Sequence, residues 1–347
     1  MTKPSVGKLV DTQYNELNND LGDDYSAWDE DVALNPAISL NLDPIELTVD
    51  DSASGKRLDA ALALMLPEFS RSRLQKWLKD GQVSCNGAVE LSPRRIVYTH
   101  DVLNVQPQAS DEMKAYTAQE IPLDVVYEDD DILVINKPAG LVVHPAAGNW
   151  TGTLLNGLLH HCPALAQLPR AGIVHRLDKD TSGLMVVAKT LEAQTDLVRQ
   201  LQARTVRRVY LALAAGVIKK GGGVDSPIGR HPTQRTKMAV VTENRGGKPA
   251  LTWYRILESF PYCTFIECSL ETGRTHQIRV HMASINHPLV GDPVYGKTNP
   301  KLPEFPRQAL HATRLGLVHP LTGQKMQWEV PMPEDMRNLL DALRYGG

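Results

Sequence analysis

Apolar residues recur along the chain with two spacings, one of strands and one of helices. From residue 123 onward, short apolar runs follow one another: Val125–Tyr127, Ile132–Ile135, Leu141–Val143, Leu184–Ala188 and Val209–Leu213. Leu251–Leu257, Thr264–Leu270, Leu315–Val318 and Met326–Val330 continue the series. Patterns with helical spacing fall between them at 153–161, 191–203, 275–286 and 334–344. Many of the connections are of hairpin length, which argues against strict strand–helix alternation. The expectation for 123–347 is an α+β domain with a large mixed, mainly antiparallel sheet and flanking helices. No internal repeat is visible.

Upstream, residues 46–106 read as a separate small α/β unit. Leu58, Leu62 and Met65 have helical spacing, and Pro67 ends that helix. Ser70 caps a second helix whose Leu74, Trp77 and Leu78 face inward, leaving Arg71, Arg73, Lys76 and Lys79 on the polar side. Asn86-Gly87 after Val83-Ser84-Cys85 predicts a hairpin turn, and Val102–Val105 a closing strand. Residues 107–122, polar and bounded by Pro107 and Pro122, read as a linker. Residues 1–45 carry too few apolar side chains to offset the entropy of ordering and are expected to be an acidic, disordered extension.

Charge sharpens this division. The formal net charge of −3 conceals eleven Asp/Glu against two Lys/Arg in residues 1–50, leaving 29 acidic and 35 basic side chains beyond them. A basic body is compatible with a nucleic-acid partner. No apolar run reaches the length of a membrane span and the N-terminus lacks a secretory apolar core. Cys85, Cys162, Cys263 and Cys268 are scattered, without zinc-site spacing, and are expected to be reduced thiols of a cytoplasmic protein.

The segment Gly172–Leu184 concentrates candidate chemistry. It sets Asp178 between Arg176 and Lys179 on a polar loop, with Thr181-Ser182-Gly183 as its turn, between two expected buried strands, one ending at Ile173-Val174 and the next running from Leu184 to Ala188. Asp178 can serve as nucleophile or general base, and Asp180 competes with it: on an extended segment the two point the same way, as in a paired-carboxylate site. The plainer reading is an Asp capping the turn at Thr181-Ser182. Tyr210, after Arg207-Arg208, offers a flat ring and a weakly acidic hydroxyl, though most strand tyrosines are core residues. Thr275 is an expected N-cap of a helix with Ile278, Met282 and Ile285 buried, which sets Arg279 off that stripe. Gly221-Gly222-Gly223 reads as a flexible turn. There is no phosphate-binding glycine loop, and His276 and His281 are five apart, so neither a nucleotide cofactor nor a metal is expected.

His175-Arg176-Leu177-Asp178 followed by Thr181-Ser182-Gly183-Leu184 resembles the active-site motif of the RluA-type pseudouridine synthases. Asn136-Lys137-Pro138-Ala139-Gly140-Leu141 is similar to the family's first motif, and Arg208-Val209-Tyr210 to its Lys-x-Tyr pattern with Arg208 in the lysine position. Glu271–His281 resembles the third motif, and Gly291–Gly296 and Leu310-His311-Ala312 the C-terminal pattern. His231-Pro232 and Lys237-Met238-Ala239 resemble the subfamily of the large-subunit synthase D type, and residues 46–106 resemble an S4 RNA-binding domain.

The resemblance implies isomerisation of uridine to pseudouridine in RNA, without cofactor or energy source. It implies Asp178 as catalytic carboxylate, Arg279 as its partner and Tyr210 as the residue stacked on the base. Beyond the resemblance, the position of Arg176 two residues before Asp178 lets its guanidinium fill the gap left by a flipped base, and the cations Arg57, Arg71, Arg73 and Lys76 of the S4-like unit are expected to meet RNA. The implied partner is 23S ribosomal RNA or the large-subunit particle, at the helix 69 stem-loop, met by a monomer. Three other readings stay open: a synthase for transfer RNA or another rRNA site, a noncatalytic RNA-binding assembly factor, and a glycoside hydrolase. The last is disfavoured by an aromatic content of 5%.

Overall fold

The computed structural model describes residues 43–345, apart from 68, 109–114, 147, 235–236 and 297–298. The acidic stretch 1–42 lies outside the described residues. The chain divides into two compact units, one within Pro36–Thr117 and the other from Ala118 onward.

In the smaller unit, β1 (Ile45–Thr48) is followed by α1 (Leu58–Met65), α2 (Arg71–Lys79), β2 (Val83–Cys85), β3 (Ala88–Val89) and β4 (Val102–Val105). The four strands form one sheet in the order β1-β4-β2-β3. Ser70 accepts a hydrogen bond from the Arg73 amide at 3.4 Å, so the predicted N-cap of α2 forms. Asn86 and Gly87 both have positive φ, the conformation that a two-residue hairpin turn demands. Leu58, Leu62, Leu74, Trp77 and Leu78 meet Val83, Leu103 and Val105 in a single core. Each such buried side chain contributes roughly 1.5–3 kcal/mol relative to its exposed state.

The larger unit is built on a nine-stranded sheet in the order β5-β6-β7-β14-β8-β13-β12-β9, with β15 paired to β14. These strands are β5 (Val125–Glu128), β6 (Ile132–Lys137), β7 (Ser182–Ala188), β8 (Arg207–Ala215), β9 (Gly222–Asp225), β12 (Leu251–Ser259), β13 (Cys263–Leu270), β14 (Leu310–Val318) and β15 (Lys325–Glu329). Only β7 and β14 run parallel among these pairs. A separate ribbon, β10 (Ile228–Arg230) and β11 (Met238–Val240), lies between β9 and β12 in sequence.

The helices are α3 (Leu154–His161), α4 (Leu191–Gln202), α5 (Gln277–Ser284) and α6 (Glu334–Tyr345). Leu197, Val198 and Leu201 of α4 pack on Ile132, Val134, Leu184 and Val186. Met336, Leu339 and Leu340 of α6 pack on Leu213 and Phe265. On β8, Leu211 and Leu213 turn toward α6, so Arg208, Tyr210 and Ala212 face the other side of the sheet. Among the described residues no helix is long and apolar enough to cross a membrane.

Several local expectations need correction. Leu141–Val143 is not a strand; the Val142 and Val143 carbonyls instead accept from the first amides of α3, Leu154 and Leu155, at 2.8 and 3.1 Å. Ile173 makes only an isolated bridge to Val187. Ser182 and Gly183 already belong to β7 rather than to the preceding turn. Gly222 and Gly223 pair with Tyr254 and Trp253 in β9, with the Trp253 ring lying against Gly223 where a side chain would sit. The expected linker is docked at its end: Gln119 donates to the Asn156 carbonyl at 3.0 Å, and Ile121 packs against Gly157 of α3.

The parallel contact of β7 with β14 sets the floor under the 175–181 loop, and Gly183 makes it possible. Its φ is +116°, and a Cβ there would come within 2.2 Å of the Ala312 carbonyl oxygen. Gly323, with φ +70°, has open space for 4 Å around the point where a Cβ would stand, and serves as the control. Gly323→Ala is expected to cost about 1–2 kcal/mol in urea unfolding, the left-handed penalty alone. Gly183→Ala should cost about 3 kcal/mol or more, since backbone atoms must move as well. Equal costs at the two positions would contradict the close-approach account.

Candidate active site

Asp178 stands on the loop between Ile173 and β7, with its side chain 16% exposed. Arg279 reaches it from α5: Nη1 donates to Asp178 Oδ2 at 2.9 Å. The same guanidinium donates through Nε and Nη2 to Asp292 Oδ2 and Oδ1, at 2.7 and 2.9 Å. Asp292 is locked in turn, because its Oδ1 also accepts from the Val294 and Tyr295 amides at 2.8 and 3.0 Å. One buried cation is thus shared by two carboxylates. Burial pushes the Asp292 carboxyl up, but the Arg279 hydrogen bonds outweigh it and hold the group below the usual carboxylate range. On Arg279 burial acts the other way, lowering its pKa; Asp292 and Asp178 more than reverse this.

The loop that carries Asp178 is gripped through its backbone. Lys137, at the end of β6 and 1% exposed, donates from Nζ to the carbonyls of Pro138, Leu141 and Lys179 at 2.8, 2.9 and 2.9 Å. Burial pulls this ammonium down to about 7, against the pull of Asp178 and Asp180. Arg307, clamped on Asp335 at 2.7 and 2.9 Å, donates from Nη1 to the Asp180 carbonyl at 3.0 Å. Gln308 donates to Thr181 Oγ1 at 3.1 Å, and Ser182 Oγ lies 3.0 Å from His311 Nδ1. Two buried basic side chains, Lys137 and Arg307, therefore hold the two carbonyls that follow Asp178.

This geometry corrects the paired-carboxylate expectation. The Thr181 amide donates to the Asp178 carbonyl at 3.1 Å, closing a turn, so residues 178 and 180 are not on an extended segment. Asp178 lines the pocket and Asp180 does not. Nor does the Asp178 carboxylate cap the turn, since the amide of Thr181 is taken by the backbone. His175 is structural: its Nε2 accepts from the Val186 amide at 3.1 Å, and burial, then the Arg208 charge, push it down to about 3.

Tyr210 of β8 borders the same pocket and is 6% exposed. Burial pushes its hydroxyl up to about 12, so it is protonated at neutral pH. Arg176 borders the pocket as an exposed residue. His276, not Thr275, is the residue before α5, held at φ +57° with no side-chain cap. Its Nδ1 lies 2.8 Å from the Tyr295 hydroxyl and its Nε2 3.9 Å from Asp178 Oδ1. Tyr295 also accepts from the Met238 amide at 2.9 Å and lies under the Arg279 guanidinium at 5.2 Å. Arg279 is 4% exposed rather than on an open helix face, because α5 is buried continuously from Gln277 to Met282.

The sequence patterns assign no individual role to Asp292, Lys137, Arg307, His276 or Tyr295. For Asp292 a signal existed: Asp followed by Pro after Gly291 favours a turn in which the carboxylate accepts downstream amides.

In the smaller unit, the candidate RNA-binding cations are not equivalent. Arg57 and Arg71 bond to the fully buried Asp59 side chain, at 3.1 and 2.9 Å. Gln75 adds a third donor at 2.9 Å. Arg73 is half-buried and Lys76 exposed. Asp129, Asp131 and His319 are grouped closely enough to suggest a metal site. The hydrogen bonds of His319 and Asp129 assign those two otherwise. His319 Nδ1 accepts from the Leu321 and Thr322 amides, so Nε2 carries the proton directed at Asp129 Oδ2, 3.0 Å away.

Asp292→Asn removes one side of the Arg279 clamp. Breaking a buried pair from one side costs about 3–5 kcal/mol, readable by urea unfolding at neutral pH. Because the folded-state pKa of Asp292 is depressed, its contribution is present above the unfolded carboxylate value, about 3.9. It is lost as pH falls through the folded value. The variant's stability should therefore decline less steeply than the parent's below about pH 4. An identical acid limb in the two proteins would contradict the clamp.

Residues 131–284 match the RNA pseudouridylate synthase family and residues 56–103 the S4 domain. Ribosomal large subunit pseudouridine synthase D of Nitrosomonas europaea is 54% identical over 334 residues, which cover 94% of this chain and 95% of that protein. The Pseudomonas aeruginosa protein of the same name is 58% identical over 303 residues, covering 84% and 92%. Among solved structures, human RNA pseudouridylate synthase domain containing 1 has a TM-score of 0.50 at 27% identity, covering 69% of this chain and 98% of that one. With its S4 domain and its α+β catalytic fold, the chain belongs to the RNA pseudouridylate synthase family and is an RNA pseudouridine synthase.

Proposed function

We propose that the protein converts specific uridines of large-subunit (23S) ribosomal RNA to pseudouridine, in the helix 69 stem-loop, with Asp178 as the catalytic carboxylate. The observation that carries the site assignment is the Asp292–Arg279–Asp178 chain of hydrogen bonds ending in the pocket lined by Tyr210. The substrate assignment is supported by the relatives at 54% and 58% identity, whose names specify the ribosomal large subunit.

The reaction is an isomerisation. The bond from C1′ to N1 breaks, the uracil turns, and C5 bonds to C1′; the C5 proton leaves and N1 gains one. Atoms and electrons balance without a redox partner or an added nucleotide, and a monomer carries every group the reaction uses. Asp178 either attacks the sugar or removes a proton from it, and both routes need an ionised carboxylate held still. Arg279 supplies that hold. Tyr210 stacks on the uracil, and its hydroxyl, protonated at neutral pH, can donate a hydrogen bond to the base and help move a proton.

Flipping the uridine out of a folded RNA costs a few kcal/mol. Arg176, exposed beside the pocket, fills the space that the base leaves. Arg57, Arg71, Arg73 and Lys76 of the S4 domain meet phosphates and position the RNA, with Arg57 and Arg71 oriented by Asp59. The protein works in the cytoplasm.

The test is pseudouridine mapping on unmodified large-subunit rRNA incubated with the protein alone. New pseudouridine confined to helix 69 is expected. Modification elsewhere in the rRNA would overturn the site, and modification of transfer RNA alone would overturn the substrate. A second measurement concerns Arg176→Ala. It should slow modification of the folded stem-loop by about tenfold or more while sparing an unstructured strand of the same sequence, whose target base is already unstacked. Equal slowing on both RNAs would contradict the gap-filling role.

A further inference from the structure

Arg208 lines the same pocket as Asp178 and Tyr210 and is 6% exposed. Among the described residues its Nε and Nη2 are buried without a hydrogen-bond partner, and no carboxylate is paired with it. This contrasts with Arg279 and Arg307, whose guanidinium groups are each clamped on an aspartate. An unpaired buried guanidinium is costly to the fold and is retained where something else benefits. Its Nη1 packs against Gly273, 2.4 Å from the point where a Cβ there would stand, so the absence of a side chain at 273 makes room for it. It sits two residues before Tyr210 on β8, hence on the same face of the strand.

Resting on the uridine-isomerisation reading above, we propose that Arg208 is a catalytic residue that donates hydrogen bonds to a uracil carbonyl oxygen and stabilises the base as it detaches. The depth of the side chain selects the base rather than the backbone. When a nucleotide is flipped into a pocket, its base goes deepest and its phosphates stay near the mouth. Arg176 borders the pocket exposed, whereas Arg208 does not. A base stacked on Tyr210 therefore brings its edge, not a phosphate, to Arg208.

The chemistry gives the donors something to do. When the C1′–N1 bond breaks, its electron pair leaves with the uracil. The negative charge spreads from N1 onto the ring carbonyls. In the intact nucleotide those oxygens are neutral acceptors; in the detached base they are partly anionic. N–H donors already in place on a buried side chain bind the second state more strongly than the first. Arg208 gives up no proton. Once C5 has bonded to C1′, its proton passes to solvent water and N1 takes one back from solvent, so the charge is gone and no proton is gained or lost overall.

The test uses the full-length protein and the large-subunit RNA target, with single-turnover rates at saturating enzyme and binding measured across a salt series. Arg208→Met keeps an apolar chain of similar length and removes the donors. It is expected to slow the single-turnover rate by about 100-fold or more, the scale of losing a preorganised donor. RNA affinity should stay within about threefold of the parent, with an unchanged salt slope. The melting temperature should be equal or higher, since an unpaired buried charge is removed. Arg208→Lys should recover most of the rate.

An Arg208→Met rate within threefold or so of the parent would overturn the proposal. So would weaker binding with a salt slope lowered by about one, which marks a phosphate contact. A lowered melting temperature, with rate loss matching the unfolded fraction, would make the residue structural and overturn it too. The parent run alongside separates the two readings: if it forms no pseudouridine, the substrate reading itself fails, whereas an active parent with an equally active Arg208→Met sinks only this assignment.

Discussion

Arg279 can hold Asp178 only because Asp292 holds Arg279. A lone guanidinium with one carboxylate partner keeps rotational freedom. With Nε and Nη2 committed to Asp292, the remaining Nη1 is aimed in one direction, and Asp178 lies along it. The arrangement also resolves a charge problem. A single buried carboxylate would be costly, as would a single buried cation. Two carboxylates and one cation, with backbone amides on Asp292, satisfy the hydrogen-bonding capacity that burial would otherwise leave unmet.

The rest of the larger unit brings these groups together from distant parts of the chain. Asp178 and Arg279 are 101 residues apart in sequence. The parallel crossing of β7 with β14 fixes the loop that begins at Ile173, and Lys137 and Arg307 hold its carbonyls from two sides. β8 then delivers Arg208 and Tyr210 to one face while Leu211 and Leu213 anchor the strand against α6. The sheet is thus both core and scaffold: alternate residues of one strand make the packing and the site.

How much of this is legible in the sequence differs from element to element. The long strands and the helices α3 to α6 of the larger unit follow from periodicity, because their apolar residues repeat at the spacing of the structure. Leu141–Val143 does not behave as its composition suggests, since its carbonyls are taken by the first turn of α3. The short strands of the β10–β11 ribbon leave no pattern strong enough to read. Asp178, Tyr210 and Arg279 were accessible because their motifs are specific. The burial of Arg279 was not: α5 is covered continuously from Gln277 to Met282, so no single apolar stripe reports its environment. The difference between Asp178 and Asp180 likewise depends on one turn hydrogen bond that spacing alone does not reveal.

The central claim is that the carboxylate held by Arg279 is the reacting group. Its most direct test is the single-turnover rate of pseudouridine formation by Asp178→Asn, a substitution that keeps the size of the side chain and its ability to accept from Arg279. The account expects no detectable product while RNA binding and the melting temperature stay near those of the parent. Product formed at a rate within tenfold or so of the parent would show that the reaction does not pass through this carboxylate, and the account of the site would fall with it.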